Sequence, residues 1–144
     1  MKGYFDNESA TQATMKDGWL YSGDIGYYDE KGRFYIVDRL KELIKVKGFQ
    51  VAPAELEDLL RLHDKVQDVA VIGVPDERHG ELPRAYIVKA SSDLDEDTIH
   101  KFIASEVADY KQLRGGIEFI DAIPKSAAGK ILRRQLRDMY AGKK

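Results

Sequence analysis

The chain has 144 residues, about one domain's worth, and its 43% hydrophobic and 33% charged residues are typical of a globular protein with a core. Its 23 basic and 25 acidic residues give a formal net charge of −2, which argues against a general nucleic-acid binder. No cysteine is present, so disulfides, thiolate metal sites and a cysteine nucleophile are excluded. No apolar run approaches the roughly 20 residues of a membrane-spanning helix, and we expect an intracellular protein.

The first part of the chain predicts a small β-rich unit over residues 1–38. Its polar beginning, up to about Asp17, predicts a loop or a short helix. Three short aromatic or β-branched runs follow, and the DEKG turn at 29–32 joins the last two into a hairpin. The runs are WLY at 19–21, IGYY at 25–28 and FYIV at 34–37. This unit does not belong to the pattern that follows, and we expect it to be the end of a larger domain.

From Leu40 onward the pattern indicates a compact α+β domain with a central sheet of two or three strands, flanked by helices and a short hairpin. The expected elements are a hairpin at 43–51, a helix from Pro53, strands at 66–74 and 84–90, a helix from about Asp95, a strand at 117–120 and a helix at 129–140. The residues expected on the buried helix faces are Leu56, Leu59, Leu60, His63, Ile99, Phe102, Ile103, Val107, Ile131, Leu132, Leu136 and Met139.

Three polar clusters could carry chemistry, and the first is YSGD at 21–24. Asp24 follows a glycine between two apolar runs. A carboxylate in such a strand-end turn can accept two hydrogen bonds from a vicinal diol, as in a ribose. The alternative is an ordinary turn residue.

The second cluster is DRLKELIKVKGFQV at 38–51. Side chains alternate along a strand, so Lys45 and Lys47 are expected on one face of the hairpin, where they would suit phosphates. Gly48 would allow another chain or a ligand to approach the backbone closely. The alternative is a charged linker followed by a hairpin with a cationic solvent face.

The third cluster is PKSAAGKILRR at 124–134, which is only loosely similar to a phosphate-binding loop because the full glycine and lysine spacing is missing. A Gly-Lys pair just before a helix, here Gly129 and Lys130, still favours an anion. The alternative is a glycine-bearing loop followed by a basic helix end.

The remaining candidates give no catalytic or metal site. The histidines, His63, His79 and His100, lie apart and show no metal-ligand spacing. Ser22 and Ser126 have no neighbouring base, so a hydrolase triad is not expected.

In this order the three clusters resemble the adenylate-forming enzymes, which include acyl-CoA synthetases, 4-coumarate–CoA ligase and beetle luciferase. The resemblance covers nearly the whole chain from about Gly18, and its middle motif, LIKVKGFQVAPAELE at 43–57, is specific. It implies a two-step ligase. A carboxylate attacks the α-phosphate of ATP to give an acyl-adenylate and pyrophosphate, and the thiol of CoA then displaces AMP. A small C-terminal domain is implied to turn on a hinge between the steps.

The resemblance implies nucleotide-binding roles for Asp24 and Arg39, both on the ribose, and for Gln50. Lys130 matches the lysine that reaches the phosphate and the carboxylate in the first step. Both Lys45 and Gln50 match residues that the other domain orientation presents to the site, and Lys45 is expected to serve thioester formation.

The hinge and the CoA side of the site are implied in the same way. Lys41 occupies the hinge position, where many relatives have an acidic residue and the luciferase-like branch has lysine. Gly48 matches the glycine beside the pantetheine tunnel, and Lys47 is expected close to CoA.

The chain departs from the family because the large N-terminal domain, with its phosphate loop and acyl pocket, is missing. We therefore expect a fragment, with residues 1–38 as the end of the large domain and 39–144 as the mobile C-terminal domain. Its expected partners are the missing domain, a carboxylic acid, ATP and CoA, with Mg²⁺ held by the missing domain. The isolated fragment is expected to be inactive.

Two other functions stay open. A luciferase-like oxygenase would use the same adenylation, and the pocket that distinguishes it from a ligase is missing. A non-catalytic interaction module would keep the fold without the chemistry. The acid substrate and the compartment, whether cytosol, mitochondrion or peroxisome, do not follow from the sequence.

Overall fold

The computed structural model describes residues 1–143, which form two compact units: Met1–Lys41 and a second unit that begins at Glu42. The described residues contain four α-helices and nine strands. Within 1–143 the longest helices have nine residues, and none has the length and apolar character to cross a membrane.

The first unit contains one short helix and two small antiparallel ladders. Helix α1 (Glu8–Thr14) begins where the side chain of Asn7 accepts a hydrogen bond from the backbone N–H of Ala10. Strands β1 (Met15–Lys16) and β2 (Trp19–Leu20) pair with each other, and β3 (Asp24–Tyr28) pairs with β4 (Phe34–Arg39). The predicted hairpin is therefore confirmed.

The β3–β4 hairpin has exposed aromatic side chains. The rings of Tyr27 and Tyr35 stack with centroids 5.0 Å apart. Both are exposed, as are Tyr28 and Phe34 beside them. None of the residues of this unit is fully buried. The assignment of this unit to the end of a larger domain stays a prediction.

The second unit is an α+β fold around a five-stranded sheet, which confirms the predicted fold class. Its elements are β5 (Ile44–Val46), β6 (Phe49–Val51), α2 (Pro53–Arg61), β7 (Val66–Asp76), β8 (Gly80–Lys89), α3 (Glu96–Ala104), β9 (Ile117–Phe119) and α4 (Arg133–Ala141). Strand β8 pairs with β7 along one edge; on its other edge it pairs antiparallel with β5 at Val46 and Gly80, and parallel with β9. The predicted short hairpin, β5–β6, thus continues the central three strands.

The sheet is buried on both faces, and the alternation of side chains along β7 and β8 divides the core. One face carries Val69, Val71, Ala85 and Ile87 and packs against α2 and α3; the other carries Ala70, Ile72, Val74 and Tyr86 and packs against Leu136 of α4. The hydroxyl of Tyr86 donates to the carbonyl of Leu136 at 3.2 Å. The buried polar end of Tyr86 thereby ties α4 to the sheet.

The last helix differs from the prediction of a helix from Gly129. Helix α4 begins at Arg133, because Gly129 has φ +78° and Lys125 forms an antiparallel bridge with Ile131, which keeps the preceding residues out of the helix. Of the four residues expected to face inward, only Leu136 is fully buried; Ile131 and Leu132 are half-buried and Met139 is exposed.

Two other predicted helix-face residues lie beyond their helices. His63 follows the end of α2, and its ring packs edge-on against Phe102 with centroids 5.0 Å apart. Val107 follows the end of α3 and packs against the core as a half-buried residue. The buried stripes themselves are confirmed at Leu56, Leu60, Ile99 and Ile103.

Native-state hydrogen exchange should distinguish the β3–β4 hairpin from the β7–β8 hairpin by the rates at which their backbone amides exchange. We expect the amides of β3 and β4 to exchange faster than those of β7 and β8, because exposed ladders open with little loss of buried apolar area. The two hairpins have the same kind of hydrogen bonding, so each serves as the control for the other. Equal protection of both ladders would contradict this expectation.

Candidate functional site

Asp24 and Arg39 face each other across the β3–β4 hairpin. They are register partners, and the Nε of Arg39 donates to Oδ1 of Asp24 at 3.2 Å. Asp24 keeps a second carboxylate oxygen and is 30% exposed, while Arg39 is 57% exposed. The ladder thus brings together the two residues expected on a ribose, and it leaves both able to reach a ligand.

The predicted hinge, Lys41, lies in the 3-10 turn Leu40–Glu42, and the boundary between the two compact units falls directly after it. Lys41 is exposed. Glu42 is bound by the guanidinium of Arg137 on α4. The first residue of the second unit is therefore fastened to the last helix of that unit.

Lys45 and Gln50 are directly opposite each other on β5 and β6, and both are exposed. Their neighbours Ile44, Val46 and Val51 are buried, so the pleat of the hairpin turns Lys45 and Gln50 away from the core. The structure therefore brings these two predicted site residues together.

Lys47 does not share the strand face of Lys45, which corrects the prediction. It is the first residue of a two-residue turn with Gly48, and both have positive φ, +49° and +85°. This is the arrangement that matches the twist of an antiparallel hairpin, and glycine adopts it at little cost. A Cβ added at Gly48 would have no atom within 4 Å, so the space over this turn is open.

The Lys45–Gly48 segment is held by β8 and the turn before it. The backbone N–H of Lys45 donates to Oε2 of Glu81 at 2.8 Å, and that of Lys47 donates to the carbonyl of His79 at 2.8 Å. The imidazole Nδ1 of His79 lies 2.6 Å from Oδ1 of Asp76, and this hydrogen bond is the main cause that lowers the pKa of Asp76. The segment from Lys45 to Gly48, with its two lysines, is thus held at one edge of the sheet.

Lys130 lies at the end of a closed, exposed loop. The backbone N–H of Ser126 donates to the carbonyl of Lys130, and the N–H of Lys130 lies 3.2 Å from the Oγ of Ser126. The N–H of Leu132 donates to the carbonyl of Pro124 at 2.8 Å and closes the base of the loop. Residues 127–130 are all exposed, so no part of the chain within 1–143 covers the tip of the loop. Lys130 is therefore an exposed residue of a loop that is ordered by its own hydrogen bonds.

A buried ion pair near this loop was missed by sequence reasoning. Glu57 on α2 is only 3% exposed, and both of its carboxylate oxygens accept from Nη2 of Arg133, at 2.7 and 2.9 Å. Its Oε1 also accepts from the backbone N–H of Val71 at 2.8 Å. Burial raises the pKa of Glu57, and the charge of Arg133 and the hydrogen bond from Val71 act in the opposite direction. The only available signal was an acidic residue within the apolar stripe of α2.

The second missed cluster surrounds Arg84. Its guanidinium donates to Glu118 at 2.7 Å and to the carbonyl of Gly115 at 2.9 Å. The same group lies over the rings of Tyr86 and Tyr140, 5.4 and 5.3 Å from the centroids. This cluster fastens β8 to β9 and α4, and its role is in packing.

Among residues 1–143 no group of three or more histidine, aspartate or glutamate side chains is arranged to hold a metal ion. The Mg²⁺ expected with ATP was assigned to ligands outside this chain, so that expectation stays a prediction. The predicted site residues fall into three groups: Asp24 with Arg39 in the first unit, and the Lys45–Gln50 hairpin and the Lys130 loop in the second.

The fold and these three groups define a class of protein. Residues 55–130 match the family described as the AMP-binding enzyme C-terminal domain, and the chain belongs to this family. The resemblance seen in the sequence is therefore confirmed.

Two relatives and one solved structure are similar to the chain over nearly its whole length. It is 54% identical to luciferin 4-monooxygenase of Photuris pensylvanica, over 97% of this chain and 26% of that protein. It is 53% identical to 4-coumarate–CoA ligase 2 of Nicotiana tabacum, over 98% of this chain and 26% of that protein. The structure of ATP-bound MatB from Rhodopseudomonas palustris superposes with a TM-score of 0.90 at 31% identity, covering 96% of this chain and 28% of that one. The chain thus spans about a quarter of the length of these proteins.

The Lys47–Gly48 turn gives a test of the hairpin geometry. Lys47→Asn should stabilise the chain by about 0.5–1 kcal/mol, because asparagine tolerates positive φ better than lysine does. Gly48→Ala should destabilise it by about 1–2 kcal/mol through backbone strain alone, since the new methyl group meets no neighbour. Urea unfolding midpoints measure both effects. Lys45→Asn, in regular strand conformation, is the control and should not stabilise; a gain equal to that of Lys47→Asn would contradict the explanation.

Proposed function

We propose that this chain is the C-terminal part of an ATP-dependent carboxylic acid–CoA ligase. The observation that carries the proposal is that one compact unit presents two lysines on independently anchored elements, Lys45 on a sheet edge and Lys130 on a loop. Such a unit can offer one or the other lysine to a shared active site if it turns as a body at Lys41, which is the last residue before the unit begins.

In the proposed first step, the carboxylate of the acid attacks the α-phosphate of ATP and pyrophosphate leaves. Both reactants are anionic, so their approach is opposed electrostatically. The ammonium of Lys130 would lie between them and offset the charge that builds in the transition state. Its loop suits this task because it is exposed and internally hydrogen-bonded. Asp24 would accept hydrogen bonds from the ribose hydroxyls while Arg39 holds its carboxylate.

In the proposed second step, the thiol sulfur of CoA attacks the acyl carbon, the thiol proton is lost and AMP leaves. Lys45 and Gln50 would face the adenylate, and the Lys47–Gly48 turn would border the path of the CoA arm. The open space above Gly48 and its positive φ support this assignment, because a narrow thiol-bearing chain needs close approach to the backbone.

A luciferase-like oxygenase is the second candidate, and the 54% identity to luciferin 4-monooxygenase supports it. It would share the adenylation step and differ in what happens to the adenylate. A non-catalytic module is the third, but the exposed, uncovered placement of Lys45 and Lys130 suits ligand contact better than packing.

A chimera distinguishes the three candidates. Residues 1–144 would replace the corresponding C-terminal quarter of 4-coumarate–CoA ligase 2 of Nicotiana tabacum, and the product would be assayed with ATP, a panel of carboxylic acids and CoA. Formation of AMP and an acyl-CoA supports the ligase. Light or oxygen consumption without acyl-CoA favours the oxygenase, and the absence of any AMP release favours the non-catalytic module. The isolated chain should release no pyrophosphate above background, because it spans only about a quarter of the length of these relatives.

In the chimera, Lys130→Ala should lower the single-turnover rate of acyl-adenylate formation by roughly 10²–10³-fold, which is typical for the loss of one preorganised donor. Thioester formation from supplied acyl-adenylate should be nearly unchanged. Lys130→Arg should restore the rate only partly, because a planar guanidinium does not reproduce a compact ammonium. Lys101→Ala, an exposed lysine on α3, is the control. Equal losses in both half-reactions would remove Lys130 from the adenylation role.

Lys45→Ala should have the opposite profile. Acyl-adenylate should form at close to the original rate, and its transfer to CoA should be slow, because the hairpin would face the site only in the second orientation. The two half-reactions are measured separately by rapid quench. If adenylation fell as far as thioester formation, the two-orientation proposal would lose its support.

A further inference from the structure

The buried carboxylate of Glu57 has no role in either proposed step, yet among residues 1–143 it is the one charged side chain that is fully buried. A carboxylate is costly to remove from water unless it is paired and hydrogen-bonded. Glu57 receives two hydrogen bonds from Arg133 and one from the N–H of Val71. The position of Arg133 is thus tightly determined by α2 and β7.

Arg133 is the first residue of α4 and lies three positions after Lys130. The helix begins without a side-chain cap, so no capping residue holds the end of the loop. The guanidinium holds it instead, through Glu57 and through a 3.3 Å hydrogen bond from Nε to the carbonyl of Val71. The planar fork of arginine sets an orientation that a lysine would not.

The beginning of the loop is fastened to the same strand. The Nζ of Lys125 binds Oδ2 of Asp68 on β7, and the bridge between Lys125 and Ile131 joins the two sides of the loop. Between these anchors, residues 127–130 are exposed, and the hydrogen bonds described for 126–130 join these residues to one another. The loop that bears Lys130 is therefore fastened to β7 at two points, Asp68 and Val71, and its residue Ile131 packs against the core.

We propose that Arg133, through its ion pair with Glu57, is a positioning residue that orients the loop bearing Lys130 for the adenylation step. This inference rests on the proposed function for its catalytic consequence, whereas its structural part concerns the chain alone. A buried ion pair usually adds little net stability compared with apolar side chains of the same size. The main effect of the Glu57–Arg133 pair is to fix the position of the end of the loop. A displacement of about 1 Å at a catalytic group can lower the rate roughly 10²-fold.

The test uses Arg133→Met and the double variant Glu57→Gln/Arg133→Met. The single variant leaves an unpaired buried carboxylate and should lose stability. In the double variant the glutamine amide oxygen can still accept from Val71, so stability should largely return. Both variants lack the anchor, and in both the amides of Ser126, Gly129 and Lys130 should exchange faster by about tenfold, the equivalent of roughly one net hydrogen bond. Amides of β7 and β8 in the double variant should be unchanged.

In the chimera, the double variant should form acyl-adenylate about 10–100-fold more slowly and should transfer supplied adenylate to CoA at the original rate. Arg133→Lys should recover part of the loss. Arg134→Met, an exposed arginine one position later, removes the same charge and should change neither half-reaction. A purely structural role predicts instead that adenylation recovers together with stability.

Three results would overturn the inference: unchanged loop exchange in the double variant, recovery of its adenylation rate, or equal losses in the two half-reactions. An unmodified chimera without any acyl-adenylate would overturn the proposed function instead. The exchange measurement on the 144-residue chain still decides whether Arg133 orders the loop.

Discussion

The second unit depends on the ladder between β7 and β8, which has buried side chains on both faces. Because strand side chains alternate, a slip of one residue in this register would exchange Val69 and Val71 with Ala70 and Ile72 and mismatch both halves of the core. The same ladder anchors the two elements that carry Lys45 and Lys130, the lysines of the proposed site. Val71 offers its N–H to Glu57 and its carbonyl to Arg133, while Glu81 holds the N–H of Lys45. Correct packing and correct placement of the lysines are therefore one requirement.

The two lysines are held by different parts of this ladder. The Lys45 strand pairs with the beginning of β8, next to the tight turn after β7. The Lys130 loop is fastened to β7 at Asp68 and Val71, further from that turn. Among residues 1–143 no hydrogen bond or ion pair joins the Lys45 strand to the Lys130 loop, so a substitution at one lysine has no direct contact through which to act on the other. This independence is what an enzyme with two half-reactions needs from one small domain, and it is why the proposed roles can be separated by substitution.

The local features of the fold could be predicted from the sequence. Short aromatic and β-branched runs gave the hairpins, Pro53 marked the start of α2, and Asp95 caps α3 through the N–H of Thr98. These signals act over a few residues. The start of α4 was predicted four residues too early, because the helical stripe includes Ile131 but the bridge to Lys125 keeps that residue extended.

The candidate site residues could be predicted only where a signal within a few residues marks them. Asp24, Lys45 and Lys130 were found through motifs, although their placement as site residues stays a prediction. The face of Lys47 was wrong because its turn requires positive φ, which removes it from the alternation of the strand. The Glu57–Arg133 pair could not be predicted, since it joins residues 76 positions apart and neither has a local pattern that names its partner.

That same separation has a consequence for how the chain acquires its structure. The β7–β8 ladder closes through a short turn, so it can form early at small entropic cost, whereas Glu57 must wait for Arg133. During synthesis, the helix bearing Glu57 emerges long before its cation does. Until then the carboxyl group has to stay hydrated or protonated, and the sheet face beneath α4 stays open. The loop that carries Lys130, and the helix α4 that follows it, therefore dock after the β7–β8 ladder has formed.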